Sequence, residues 1–166
     1  MNSHTRNLKP ARILALILSA AVFCIPSFST HGRTLPETRC EKEVLVLVHK
    51  IDAERDETAQ VFLAQDLAYR SYENRDCKTR RVIRALTALL QNRNDGVRWG
   101  AAEALADVGP AAKSAVPALE QALRQSDAEL AKLGGGFLPT RYSGQAVRVA
   151  LKKISGRMVP DYNEQH

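Results

Sequence analysis

The sequence is poor in aromatic residues (5% of 166), has four histidines and three cysteines, and carries no uninterrupted apolar run of membrane-spanning length. Each shortage excludes something. With so few aromatic residues and so little β-branched alternation, no half-buried sheet face can be assembled. Histidines at His4, His31, His49 and His166 are too scattered for a metal-binding cluster. The chain also lacks a Gly-x-Ser-x-Gly nucleophile turn, and "LGGGF" at 133–137 has neither the lysine nor the following helix signal of a phosphate loop. No cofactor is expected.

What is present begins with an address. "MNSHTRNLKPARILALILSAAVFCIPSFST" carries Arg6, Lys9 and Arg12 without an acid, runs apolar from Ile13 to Phe23, and turns small and polar after Pro26. This is the three-part pattern of a secretory signal peptide. Its apolar run falls short of the roughly 18 residues expected of a spanning helix. Ser27 and Ser29 suit cleavage near residue 29, Phe23 before Cys24 argues against a lipoprotein, and an uncleaved anchor stands as the alternative. Three of the 24 basic groups and none of the 18 acidic ones would leave with residues 1–29, lowering the net charge from +6 to +3. So small a charge is not the footprint of a nucleic-acid binder. The one dense basic patch, "RDCKTRRVIR" at 75–84, has no aromatic interleaved for base stacking and reads as a solvated helix start. A periplasmic or secreted protein without stable membrane insertion is the expectation.

Export leaves Cys40 and Cys77 as an even pair, and an oxidising compartment favours a bond between them. Two separate buried thiols are the alternative.

The remaining chain reads as helices joined by turns. "CEKEVLVLVHKID" (40–52) admits a buried strand at Val44–Val48, but Leu47, Val48 and Ile51 continue a helical stripe and no strand partner is visible. In "RDETAQVFLAQDLAYRSYEN" (55–74), Val61, Ala64, Leu67, Ala68 and Tyr72 recur at helical spacing. A third helix places Val82, Leu86, Leu89 and Leu90 on one stripe, and Asp95 is expected to cap the next. The fourth buries Val97, Ala101, Ala104, Leu105 and Val108, and ends at Gly109-Pro110. A fifth starts near Ala115, with Pro117 in its first turn and Val116, Leu119 and Leu123 facing inward.

The same words then return. "VIRALTALLQN" (82–92) superposes on "AVPALEQALRQ" (115–125) at an offset of 33, and "EALADVG" (103–109) on "VALKKIS" (149–155) at an offset of 46. The excess of 13 must be an insertion between the two helices of the second unit, and "SDAELAKLGGGFLPTRYSG" (126–144) holds it. A two-helix unit that turns on Asp-x-Val-Arg, ends on Gly-Pro and restarts on Val-Pro-Ala-Leu resembles the HEAT repeat, in particular its short bacterial form, over residues 80–156. The second unit departs from that pattern: Ser143 and Gly144 stand where the Val-Arg pair belongs, which puts its usual arginine contact in doubt. Two repeats alone are marginal, so the helices at 40–53 and 56–74 are read as a third, capping hairpin whose ends would bring Cys40 and Cys77 together. The expected fold is therefore all-α, a short α-solenoid of about three antiparallel hairpins. It divides into a signal segment (1–29), the N-terminal hairpin (30–78), two repeats (79–156, with the inserted loop at 126–144) and a tail (157–166).

In the HEAT family the second helix of each unit lines the concave side, and this resemblance implies a protein-binding surface. Trp99, Ala102, Glu103 and Ala106 point away from the buried set of their helix. Trp99 either anchors a partner or packs on a neighbour. The offset of 46 makes Gln145, Arg148 and Lys152 the equivalents of Trp99, Ala102 and Ala106, so the groove is expected to run from aromatic to basic, with Tyr69 or Tyr72 at its far edge. Phe137, Arg141 and Tyr142 add further contact groups on the inserted loop. The expected role is a non-enzymatic interaction module that binds a protein partner, one form of which is an inhibitor or immunity-type protein. The alternative is a small-molecule or enzymatic site built on the glycine-rich loop or on His49, which has Asp52 one turn away.

Overall fold

A computed structural model describes residues 38–73, 77–133 and 142–160. Among these residues there are six α-helices, one 3-10 turn and no strand: α1 (Arg39–Ala53), α2 (Glu57–Glu73), α3 (Arg80–Leu89), α4 (Asp95–Val108), the turn Gly109–Ala115, α5 (Val116–Lys132) and α6 (Ser143–Ser155). The segment "EVLVLV" is helical. Val44 and Ile51 are fully buried on its core side, whereas Val46 lies in solvent.

Helices pair in sequence order as hairpins, α1 with α2, α3 with α4 and α5 with α6. The second helices form one layer, in which α4 packs between α2 and α6. α1 and α3 pack in the other layer. The starts of α1 to α4 are set by local side-chain oxygen acceptors. Thr38 and Thr79 cap α1 and α3 by accepting from Glu41 N and Val82 N, and Asp56 accepts from Ala59 N at the head of α2. Gly109 adopts φ 67° as α4 ends, and Gly156 takes the left-handed conformation as α6 ends.

Neighbouring hairpins are joined by polar as well as apolar contacts. The Gln60 side chain donates to Glu54 O (2.9 Å) and accepts from Asn94 Nδ2 (3.2 Å), so one buried amide ties the first hairpin's turn to the start of α4. Asn94, not Asp95, caps α4, with its side-chain oxygen accepting from Gly96 N. The Asp95 carboxylate is diverted to Arg98 and to Ser143, whose N–H and hydroxyl both reach it.

Cys40 and Cys77 are bonded, with their Cα atoms 5.5 Å apart. The bond joins the start of α1 to the segment leading into α3, and both cysteines belong to the same core cluster as Val44 and Leu86.

Two expectations need correction. Helix α5 continues to Lys132, so the inserted segment is irregular over less of 126–144 than its composition suggested, and the cap of α4 is Asn94 in place of Asp95. The core side of α2 is filled by Gln60, Ala64, Leu67 and Ser71, which leaves Tyr72 75% exposed. Beyond α6, Val159 packs on the core, Pro160 O accepts from Arg148, and Arg157 pairs with Glu120.

Candidate interaction face

The solvent side of the second-helix layer is built from three parallel stripes. On α2 it presents Phe62 (65% exposed), Tyr69 (58%) and Tyr72 (75%), which recur at intervals of seven and three and so share one helix face. On α4 the stripe is Trp99, Glu103 and Asp107, all partly buried. On α6 it is Gln145, Val149 (40% exposed), Lys152 and Lys153. Lys153 Nζ reaches Asp107 Oδ1 at 3.4 Å and links the last two stripes. The face thus passes from aromatic through acidic to basic.

Three exposed aromatic rings on one helix of a small domain are unusual for a surface that meets only water. Trp99 is different: it is partly buried and packs against the core. Burial, and after it the neighbouring Asp107, holds the Glu103 carboxyl above the usual glutamate range, with Lys153 acting in the opposite direction. That helix therefore carries its acidic charge close to an apolar environment.

Not every expected contact residue lies here. Ala102 and Ala106 are buried because α2 and α6 flank α4 on both sides, leaving only a narrow strip of α4 open. Arg148 is buried too, its guanidinium holding both Asp127 oxygens (2.9 and 3.1 Å) while its Nε donates to Pro160 O at 2.7 Å. Tyr142 is buried and donates its hydroxyl to the same Asp127; burial, followed by that hydrogen bond, holds its phenol well above the ordinary range. Arg148 and Tyr142 are thus joints between α5 and α6, not groups facing a partner. Phe137 and Arg141 lie outside the described residues. Lys152 is exposed as expected.

The residues that sequence reasoning missed fall into two sets. Phe62 and Val149 are solvent-facing members of the stripes, and the spacing of Phe62 to Tyr69 and Tyr72 was the available signal. The other set is a buried polar cluster beneath the start of α6. Arg98, fully buried, donates to Asn92 O (2.9 Å), Arg93 O (3.0 Å), Asp95 (2.7 Å) and Glu129. Ser126 and Ser143 hydroxyls lie 2.7 Å apart, and Ser126 Oγ accepts from Gly144 N. Where Ser143 and Gly144 replace the expected Val-Arg pair, Ser143 contacts Asp95 of the preceding unit instead.

Among the described residues no group of histidine, cysteine or acidic side chains is placed to hold a metal. His49 and Asp52 are both exposed on α1. No described helix is long and apolar enough to cross a membrane.

The family model for HEAT repeats matches residues 44–134, more than half of the chain and a span from α1 through the end of α5. No curated protein and no solved structure matches the chain.

Proposed function

From its membership of the HEAT-repeat family, whose repeats are in general protein-interaction scaffolds, we propose that this chain is an exported interaction module that binds a protein partner on the face of α2, α4 and α6. The observation that carries this reading is the row of exposed Phe62, Tyr69 and Tyr72 beside the partly buried Trp99. Large, rigid aromatic groups contribute much of an interface's energy, and tyrosine and tryptophan add a polar tip. Glu103, Lys152 and Lys153 supply charge around them, which sets orientation and partner choice more than affinity. Export is supported by the charge and apolar pattern of residues 1–29 and agrees with the Cys40–Cys77 bond, since such bonds persist in oxidising compartments. Blocking an exported toxin or enzyme, as an inhibitor or immunity-type protein does, is the form of this role best suited to a small rigid binder. The chain acts in this reading by occupancy rather than by chemistry.

Cell fractionation with a tagged full chain tests the address, and recovery of the tag only in the cytoplasm would refute it. For the face, a partner captured by the wild-type protein should be bound by the Phe62→Ala and Tyr72→Ala variants with about 2 kcal/mol less free energy, roughly thirtyfold weaker. Their melting temperatures should be close to wild type because both side chains lie mostly in water. Equal affinity for wild type and both variants would remove this face from the reading.

A further inference from the structure

On the other layer of the molecule, a groove of about 800 Å³ opens between α3 and α5. Arg80, Arg84, Thr87 and Ala88 of α3, with Gln91 just beyond its end, form one wall, and Ser114, Ala118 and Gln121 line the opposite side. No carboxylate lines it. Seven described arginines meet a carboxylate. Arg80 and Arg84, like Arg55 and Arg124, have no such partner among the described residues, and Arg80 and Arg84 stand one helical turn apart on the same wall, both exposed. The next arginine along, Arg81, is by contrast paired to the buried Glu41.

Helix direction adds to the charge. Arg98 of α4 reaches Glu129 near the end of α5, so α4 and α5 run antiparallel; α3, joined to α4 by a short turn, is antiparallel to it as well. Hence α3 and α5 begin at the same end of the groove, where Arg80 stands and where two helix N-termini contribute positive potential. Farther along, the small side chains Ala88 and Ala118 leave room, and the amides of Gln91 and Gln121 can donate to and accept from a peptide backbone.

We propose that the α3–α5 groove is a second docking site, which takes an acidic peptide segment of a partner protein with its carboxylates against Arg80 and Arg84. Arginine suits carboxylates because its planar fork presents two parallel donors. A nucleic acid is the poorer fit: no aromatic side chain lines the groove for base stacking, and two arginines neutralise too few phosphates for tight binding. The site uses a different layer from the aromatic face, so it stands or falls separately from the function proposed above.

The test is a titration of the intact protein, at physiological salt, with a fluorescein-labelled peptide of Glu-Ala-Ala-Ala-Glu repeats. Its glutamine counterpart and an oligothymidylate of equal charge complete the set. The glutamate peptide should bind and the glutamine peptide should not. Arg80→Gln with Arg84→Gln should weaken binding about tenfold or more, equivalent to about 1.4 kcal/mol. A matched pair, Lys50→Gln with Arg55→Gln, removes the same charge from the N-terminal hairpin and should leave affinity within about twofold, a difference well under 1 kcal/mol. Ala88→Trp, which fills the groove without changing charge, should also abolish binding. All these side chains are exposed, so unchanged melting curves will show that the variants fold. Failure of the glutamate peptide to bind, equal loss in both double variants, or tighter binding of the oligothymidylate would each overturn the proposal.

Discussion

Gly100 of α4 lies so close to α2 that a Cβ built on it would stand 2.5 Å from the carbonyl oxygen of Ala64. The two second helices therefore meet backbone to backbone. The aromatic stripe of α2 and the Trp99 stripe of α4 are drawn into one continuous face by this contact, since any side chain at 100 would push the helices apart.

Gly100→Ala should accordingly destabilise the protein. Overpacking against backbone costs about 1 to 3 kcal/mol, offset by the roughly 1 kcal/mol that alanine gains over glycine inside a helix. A net loss of up to about 2 kcal/mol is expected in urea unfolding. A stability equal to or above wild type would mean that α2 and α4 can separate without cost.

Arg98 is the residue whose loss should be felt most. Its side chain is 0% exposed and satisfies two turn carbonyls and two carboxylates, so Arg98→Ala would strand Asn92 O and Arg93 O beneath the start of α6. Because Asp95 and Glu129 are themselves partly in water, the loss should be about 3 kcal/mol, at the low end for a broken buried pair. Arg98→Lys should recover less than half of it, because a single ammonium cannot address partners on three sides. Denaturant midpoints of the two variants measure this, and full rescue by lysine would contradict the geometry.

Reduction of the Cys40–Cys77 bond should lower stability by about 3 to 4 kcal/mol in the chain-entropy account, given the 37-residue separation. Urea unfolding with and without reductant gives the difference. Thiol alkylation followed by intact-mass analysis should find neither cysteine free before reduction.

Glu103 gives the expected pH dependence. Burial raises its folded pKa above the unfolded value, so the ionised form is disfavoured by folding. The resulting penalty is fully present above the folded pKa and is relieved as pH falls through it towards the unfolded value near 4.5. Glu103→Gln should therefore be more stable than wild type at pH 7, and the gap should close as the pH is lowered to about 4. A gap that widens on acidification would reverse the assigned sign.

Local chain chemistry was enough to settle the helices and their order. Stripes such as Val82, Leu86 and Leu90 show their buried side in the spacing alone, and all three are fully buried. Gly109-Pro110 marks the break after α4 for an equally local reason, positive φ followed by a residue with no N–H. Even the pairing of Asp107 with Lys153, 46 residues apart, follows the offset at which "EALADVG" repeats as "VALKKIS". What only the tertiary structure decided is which polar or small residues on the far side of each helix stay in water. Ala102, Ala106 and Arg148 sit where a lone hairpin would expose them, and they are buried because α4 has a neighbour on each side and Asp127 of α5 lies within reach of α6. Periodicity reports the angle between residues on one helix. It does not report how many helices surround it, or where a long side chain finds its partner. Those depend on contacts between residues far apart in the chain, which is why Tyr142 and Arg148, expected at the surface, are buried.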